Sequence, residues 1–167
     1  MIAGQLANVS AVLVLPAGAA NVEKPLLDLL TRLFEDAVVL GDAAQCEQLR
    51  AKRVVVRGES KAGHAAEVGD LVRALESARE ERVLLVGQGK GATADLMLGL
   101  TAWPEHECVA PRGADVDYAM CALYQRAPAL AAAREELLVE KPSLAGVVGR
   151  LDSDFLAGDD LDALLAS

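Results

Sequence analysis

Short apolar runs rich in β-branched residues recur along this chain, each followed by a stretch whose leucines and valines return every three or four positions. Residues 11–15 (AVLVL) predict a buried strand, and residues 24–34 (KPLLDLLTRLF) a helix with its leucines on one face. Residues 37–40 (AVVL) predict a second strand, 43–51 a short helix and 53–57 (RVVVR) a third strand. A helix over 65–79 follows, with Val68, Leu71, Val72 and Leu75 as its apolar stripe. Residues 82–86 (RVLLV) predict a fourth strand, and 93–101 a helix for which Thr93 is a suitable N-cap. Two short strands, 108–111 and 120–124 (MCALY), precede helices over 128–138 and 143–151, the second opened by Ser143. The acidic, amphipathic stretch 152–165 predicts an edge strand and a last helical turn.

Strands separated by helices of this length imply crossover connections and a mostly parallel sheet covered on both faces. The expected fold class is therefore α/β, a three-layer α/β/α sandwich in one domain, with no internal repeat or linker. Ligands of such sheets bind outside the carboxyl ends of the strands. The loops after Leu15, Arg57 and Val86 are then expected along one rim.

Composition narrows this picture. With 53% hydrophobic and 25% charged residues among 167, the chain is globular rather than disordered. Aromatics are only 3%, so Leu, Val and Ala must fill the core. A net charge of −9 argues against a polynucleotide partner, which would call for a basic face. Cys46, Cys108 and Cys121 form no CxxC pair, which fits reduced thiols in a cytoplasmic protein better than a disulfide frame or zinc site. No apolar run approaches the roughly 18 residues that would cross a bilayer. The run AVLVLPAGAA resembles a signal sequence, but MIAGQLANVS before it carries no Lys or Arg, and a buried strand explains it more simply.

Two loops carry candidate chemistry. The loop 87–92 (GQGKGA) follows a strand and matches GxGxxA, the dinucleotide fingerprint. About three βα units precede it, however, and the acid expected about 20 residues on is Glu107, which falls before a strand. It also lacks the Walker spacing, so a tight turn is the simpler expectation. The first loop, 16–25 (PAGAANVEKP), is small and ends in Lys24 at a helix start. Its amides and Lys24 would suit phosphates; composition alone favours a compact turn with Lys24 in solvent. His64 and His106 stand apart from metal-ligand spacings, and Trp103-Pro104 should end a helix and pack on its surface. Asp152, Asp154, Asp159, Asp160 and Asp162 lack the calcium-loop pattern and are expected to form a solvated acidic tail.

In order, these pieces resemble the nucleotidyltransferase family that attaches GMP to molybdopterin, the molybdenum-cofactor guanylyltransferases. VLVLPAGAANVEKPLLDLL is similar to the family's opening strand and loop, LAGGxSxRMGxDKxLL. Gly63 to Leu71, with Arg73-Ala74-Leu75, resembles its GPLAGxxxAL segment, and MCALYQR at 120–126 resembles PLCALYRR, the most specific piece. PSLAGVVGRL at 142–151 is similar to its C-terminal SLRALLERL region. The resemblance covers nearly the whole chain. It implies a Rossmann-like sheet of the nucleotide-diphospho-sugar/nucleotidyltransferase type and GMP transfer from GTP, with Mg²⁺ offsetting charge at the α-phosphate. It implies nucleotide contacts from Leu15, Pro16, Ala17, Gly18, Lys24, Glu59 and Gly63, no membrane, and a protein partner in molybdoenzyme maturation.

The departures fall on the chemistry. The glycine-rich loop is shortened, Ala17-Gly18 stands for GG, and the SxRMG segment is missing; Lys24 remains. The family's metal-binding aspartate, in a DMP motif, has Gln88 or Gly89 in its place, and no carboxylate follows until Asp95. Glu59 is the nearest match to the aspartate before GPLAG. No metal ligand or catalytic residue is assigned. The expectation is a divergent nucleotidyltransferase with impaired or altered catalysis. A non-catalytic relative binding a nucleotide, pterin or protein partner is the alternative, and an unrelated dinucleotide domain using Gly87 to Ala92 a second.

Overall fold

The structure, a computed structural model, describes residues 6–18, 21–47, 49, 53–57, 64–113 and 117–166. Seven strands form one sheet: β1 (Leu6–Val14), β2 (Phe34–Gly41), β3 (Arg53–Val56), β4 (Arg82–Gly87), β5 (Cys108–Arg112), β6 (Cys121–Gln125) and β7 (Ser153–Ala157). Their order is β3-β2-β1-β4-β6-β5-β7. All neighbouring pairs are parallel except those made by β6, which runs antiparallel to β4 and β5. The mostly parallel α/β sheet expected from the alternation is present.

Period-two patterning sorts the strands between two cores. Val12, Val38, Leu40, Val83, Leu85, Ala110 and Tyr124 face α3 (His64–Ser77), α5 (Arg126–Glu136) and α6 (Leu144–Arg150). Val9, Ala11, Leu13, Val39, Leu84, Val86 and Leu123 face α1 (Lys24–Leu33), α4 (Ala94–Ala102) and α7 (Gly158–Leu165). Both faces are thus covered, and α2 (Ala43–Glu47) sits at the β2–β3 crossover.

Several boundaries moved. The helix expected over 43–51 ends at Glu47, with 48 and 50–52 outside the described residues. The first strand starts five residues early, at Leu6, because its outer end continues to pair with β2. α1 passes into β2 without a loop: Phe34 is both the helix C-cap, its N–H donated to the Leu30 carbonyl, and the first strand residue. α5 begins at Arg126 and takes Pro128 into its first turn, where a missing N–H leaves no helical bond unmade. The acidic tail is a full strand and helix, its inner faces fixed by Leu156 and Leu161. Thr93 and Ser143 cap as expected, accepting from the N–H groups of Leu96 and Gly146.

Buried polar groups tie layers together. Asp36, paired across from Ser10 in the sheet, accepts from Ser10 Oγ, from Arg53 Nε at 2.8 Å and Nη2 at 3.0 Å, and from the Arg79 N–H at 3.2 Å. Burial pushes its carboxyl up, but the bonds from Arg53, Ser10 and Arg79 and the Arg53 charge together hold it below the ordinary value. Glu136, equally buried, accepts from the Ser143 N–H and Arg150 Nε, both at 3.0 Å, and so fixes α6 to α5. Gly146 leaves room for this arrangement, because a Cβ there would lie 1.9 Å from the Glu136 carboxylate and displace it.

Because its folded value is depressed, Asp36 contributes stability that is complete above the unfolded value of about 3.9 and is lost as pH falls through the folded one. Asp36→Asn should cost about 3 kcal/mol at pH 7. Urea titrations should show that gap closing below pH 4; a gap independent of pH would remove Asp36 from this role. Tyr124, fully buried, has a hydroxyl without a hydrogen-bond partner among the described residues. Tyr124→Phe should therefore stabilise by about 1 kcal/mol in the same titration; destabilisation would mean that the hydroxyl is paired.

Candidate functional site

At the carboxyl ends of β1 and β4 the sheet opens into a cavity of about 300 Å³. Val14, Leu15, Pro16 and Ala17 line one side, Ala66, Glu67 and Asp70 of α3 another, and Gly87, Gln88 and Lys90 a third. Arg57, just past β3, enters from the remaining side. The topology produces this place: β1 and β4 are adjacent and parallel, so their carboxyl ends and the loops that follow lie side by side on one rim.

Arg57 organises the wall. Its Nε meets Asp70 Oδ1 at 3.0 Å, its Nη1 meets Asp42 Oδ1 at 3.2 Å, and its Nη2 donates to the Leu15 carbonyl. Asp42 Oδ2 accepts the Gly18 N–H at 2.9 Å. Gln45 adds a bond from Nε2 to the Pro16 carbonyl at 3.1 Å and accepts the Asp42 N–H at 2.7 Å. Burial pushes the Asp70 carboxyl above its ordinary value, Arg57 offsets this only in part, and Asp42 and Glu67 push the same way.

The far end of the same loop is held by Gln88. Its Oε1 accepts the Glu23 N–H at 2.8 Å and its Nε2 donates to the Asn21 carbonyl at 3.0 Å. Gln88 is only 6% exposed, and both its amide atoms are engaged. The Gln88 N–H meanwhile donates to the Val14 carbonyl. A loop with few side chains of its own is thus ordered from both ends by its neighbours.

The structure places the expected site residues unevenly. Leu15, Pro16 and Ala17 form the cavity wall, and Gly18 stands next to it with φ +75° and its N–H on Asp42. Lys24 opens α1, exposed, and is not part of the wall. Glu59 and Gly63 lie outside the described residues. Arg57, Asp70 and Asp42 were not singled out as ligand-site residues. Their signal was an arginine ending an apolar strand and an acid beside the Val68–Leu71 stripe, charges where the pattern wants apolar side chains.

The glycines of the 87–92 loop serve geometry. A Cβ on Gly87 would lie 2.2 Å from the Ala119 carbonyl, so glycine lets the turn before β6 come close. Gly89 and Gly91 adopt φ of +77° and +87°, which favour glycine. The N-terminus of α4 behind them is capped by Thr93, whose hydroxyl also donates to the Leu164 carbonyl. Thr93 takes one N–H of this helix start, and the sheet departs from the dinucleotide-domain order beyond β4, where antiparallel β6 stands between β4 and β5.

The Mg²⁺ implied by the family resemblance does not fit the described residues, and Glu59 lies outside them. Among the described residues no group of three or more His, Cys, Asp or Glu side chains is arranged to hold a metal ion. Of the two residues at the expected aspartate position, Gln88 is a neutral side chain already committed to the loop and Gly89 has no side chain. Charge around the cavity is also unfavourable to a bare triphosphate: Arg57 and Lys90 face Asp42, Asp70, Glu67 and Asp117, with Lys90 Nζ 3.8 Å from Asp117.

Other candidates resolve into structural parts. His106 does have acidic neighbours, Asp152 at 3.6 Å and Asp154 at 3.5 Å, brought near by the parallel pairing of β5 with β7. Trp103 caps α4 and donates from Nε1 to Asp154, and this bond holds the Asp154 carboxyl below its ordinary value. This group lies at the rim opposite the cavity. All three cysteines are buried and unpaired; burial pushes the Cys108 thiol up to about 12 and raises Cys46 and Cys121, which disfavours thiolate chemistry.

The chain matches no protein-family model and no curated protein sequence. Solved structures do match. An Aquifex aeolicus protein superimposes with a TM-score of 0.74 at 12% identity, over 97% of this chain and 94% of that one. The 4-diphosphocytidyl-2C-methyl-D-erythritol synthase of Anaerococcus prevotii gives 0.67 at 12%, over 95% and 89%. Molybdopterin-guanine dinucleotide biosynthesis protein A of Archaeoglobus fulgidus gives 0.63 at 15%, over 93% and 89%. The fold is therefore the nucleotidyltransferase type of α/β sheet. No helix among the described residues is long and apolar enough to cross a membrane.

Gln88→Leu should keep the packing and remove both loop bonds. We expect a loss of about 2 kcal/mol and at least about tenfold faster amide exchange at Glu23. Unchanged Glu23 exchange in a folded variant would show that the loop is held by other means.

Proposed function

We propose that this protein binds a nucleotide- or pterin-type ligand in the 300 Å³ rim cavity, on a nucleotidyltransferase fold whose transfer chemistry is impaired or altered. The observation that carries this reading is Gln88. The family resemblance calls for a metal-binding aspartate at Gln88 or Gly89; both polar atoms of the neutral Gln88 side chain anchor the first loop, and Gly89 offers no ligand. The wall itself suits a small heterocycle, being apolar on Leu15, Pro16, Ala17 and Ala66 and polar at a few fixed points. Asp70 and Glu67 can accept hydrogen bonds from ring N–H groups, and Arg57 is already preorganised by its carboxylates.

The resemblance favours GTP among nucleotides, and molybdenum-cofactor maturation in the cytoplasm, with a protein partner, as the setting. Without a metal site, as among the described residues, charge developing at an α-phosphate goes uncompensated, and loss of such an element typically costs several kcal/mol of barrier. Binding survives that loss better than turnover does.

Thermal shift with GTP, CTP and a pterin, each with and without Mg²⁺, tests the reading. At a hundredfold excess over Kd the expected rise is about 5–10 °C, insensitive to Mg²⁺ for the pterin and smaller without Mg²⁺ for the triphosphates, whose charge the cation offsets in solution. Ala17→Trp, which fills the cavity mouth, should abolish the rise while leaving the protein folded. A parallel assay of GMP transfer to molybdopterin should give little or no product. Ordinary Mg²⁺-dependent turnover would overturn impaired chemistry; no shift with any of these compounds would overturn binding.

A further inference from the structure

Past the first cavity the rim continues into a second, of about 450 Å³, over the end of β5, the turn before β6 and the start of α6. The two share Glu67, Ala119 and Leu144 as a common wall. The distinctive group of the second is Arg112. Strand register sets Phe155 opposite Ala110 and Ala157 opposite Arg112, so Arg112 and Phe155 are diagonal neighbours on one sheet face. The guanidinium carbon lies 3.4 Å from the Phe155 ring centroid, and the Tyr118 ring flanks Phe155 at 6.3 Å.

This pairing differs in kind from the arginines that brace the fold. Arg53, Arg57 and Arg150 each have a carboxylate, and Arg126 a carbonyl. Arg112 is exposed and, among the described residues, has no acceptor; its partner is a ring. Stacking fixes the plane of a guanidinium through its face and leaves the N–H edges, where bidentate donation occurs, unoccupied. It orders the side chain without neutralising its charge. The carboxylates Glu67 and Asp117 line the same cavity, and they disfavour a highly charged polyanion there.

We propose that the second cavity is an oxyanion subsite in which Arg112, held flat on Phe155, receives the single carboxylate or phosphate group of a small ligand whose body packs against Pro111 and Tyr118. This goes beyond the nucleotide reading and does not require it, since the two cavities are lined by different charged groups apart from Glu67.

The test is NMR titration of the full chain with phenyl phosphate, benzoate and neutral benzyl alcohol. Either anion should shift the Arg112 Nε–H and the amides of Gly113 and Ala145, with benzyl alcohol producing no such shift. Arg112→Ala should weaken binding at least about tenfold and Arg112→Lys severalfold, because an ammonium lacks the planar fork. Phe155→Leu, which keeps the charge but frees the plane, should fall between wild type and Arg112→Ala. The tighter anion would identify phosphate or carboxylate as the favoured group. Equal affinity in Arg112→Ala, or equal shifts from benzyl alcohol, would overturn the proposal. Amide shifts at Leu15 and Ala17 with GTP, read on the same variants, report the first cavity separately, so failure of one site is distinguishable from failure of the other.

Discussion

The rim of this protein is built around one guanidinium. Arg57 reaches from the end of β3 to the carbonyl of Leu15 at the end of β1 and is held there by carboxylates from the β2–α2 junction and from α3. Four elements far apart in sequence are thereby joined at a point where the sheet would otherwise end in unsatisfied backbone. A buried arginine of this kind is stable only with its donors matched, since desolvation is otherwise severe. The arrangement anchors the described ends of the first loop without the glycine-rich, basic composition that a phosphate cradle would use, and it sets two carboxylates against one guanidinium.

Gln88 completes that arrangement from the other side, and together the two residues explain the character of the site. An aspartate at position 88 would have no donor to offer the Asn21 carbonyl. The amide is suited to holding a loop, the carboxylate to holding a metal. The loop 87–92 therefore belongs to the site through its second residue, while its glycines serve the turn and the approach of the chain entering β6.

Most of the layered fold was legible in the chain, because strands covered on both faces must be nearly continuous apolar runs and their covering helices must be amphipathic. Residues 37–40 and 82–86 are of this type, and the Val68–Leu75 stripe marked α3. The direction of β6 was not legible: MCALY is apolar whichever way it runs, and only pairing with β4 and β5 fixes it. The acidic tail was under-read because Leu156 and Leu161 are its only fully buried side chains, too few to show a period. At the site, Leu15 to Ala17 could be placed by the rule that ligands lie at strand ends. Lys24 could not, because a side chain at a helix start can point along either side of the loop. The roles of Arg57, Asp42 and Asp70 depend on contacts spanning up to 42 residues and have no local signature.

The seamless passage from α1 into β2 bears on how this rim could change over evolutionary time. With no connecting residues between Leu33 and Phe34, a residue inserted there would rotate α1 by about 100° relative to the strand. That rotation would carry Glu23, and with it the Gln88 anchor, out of register. A length change in this half of the molecule is therefore least costly away from that joint and from the anchored ends of the first loop. The α5–α6 connection, by contrast, exposes Leu138 and lies beyond the clamp, so the chain can lengthen there without disturbing the cavity. One tight joint thus divides the surface into a half where lineages can experiment with length and a half where substitution is the easier change.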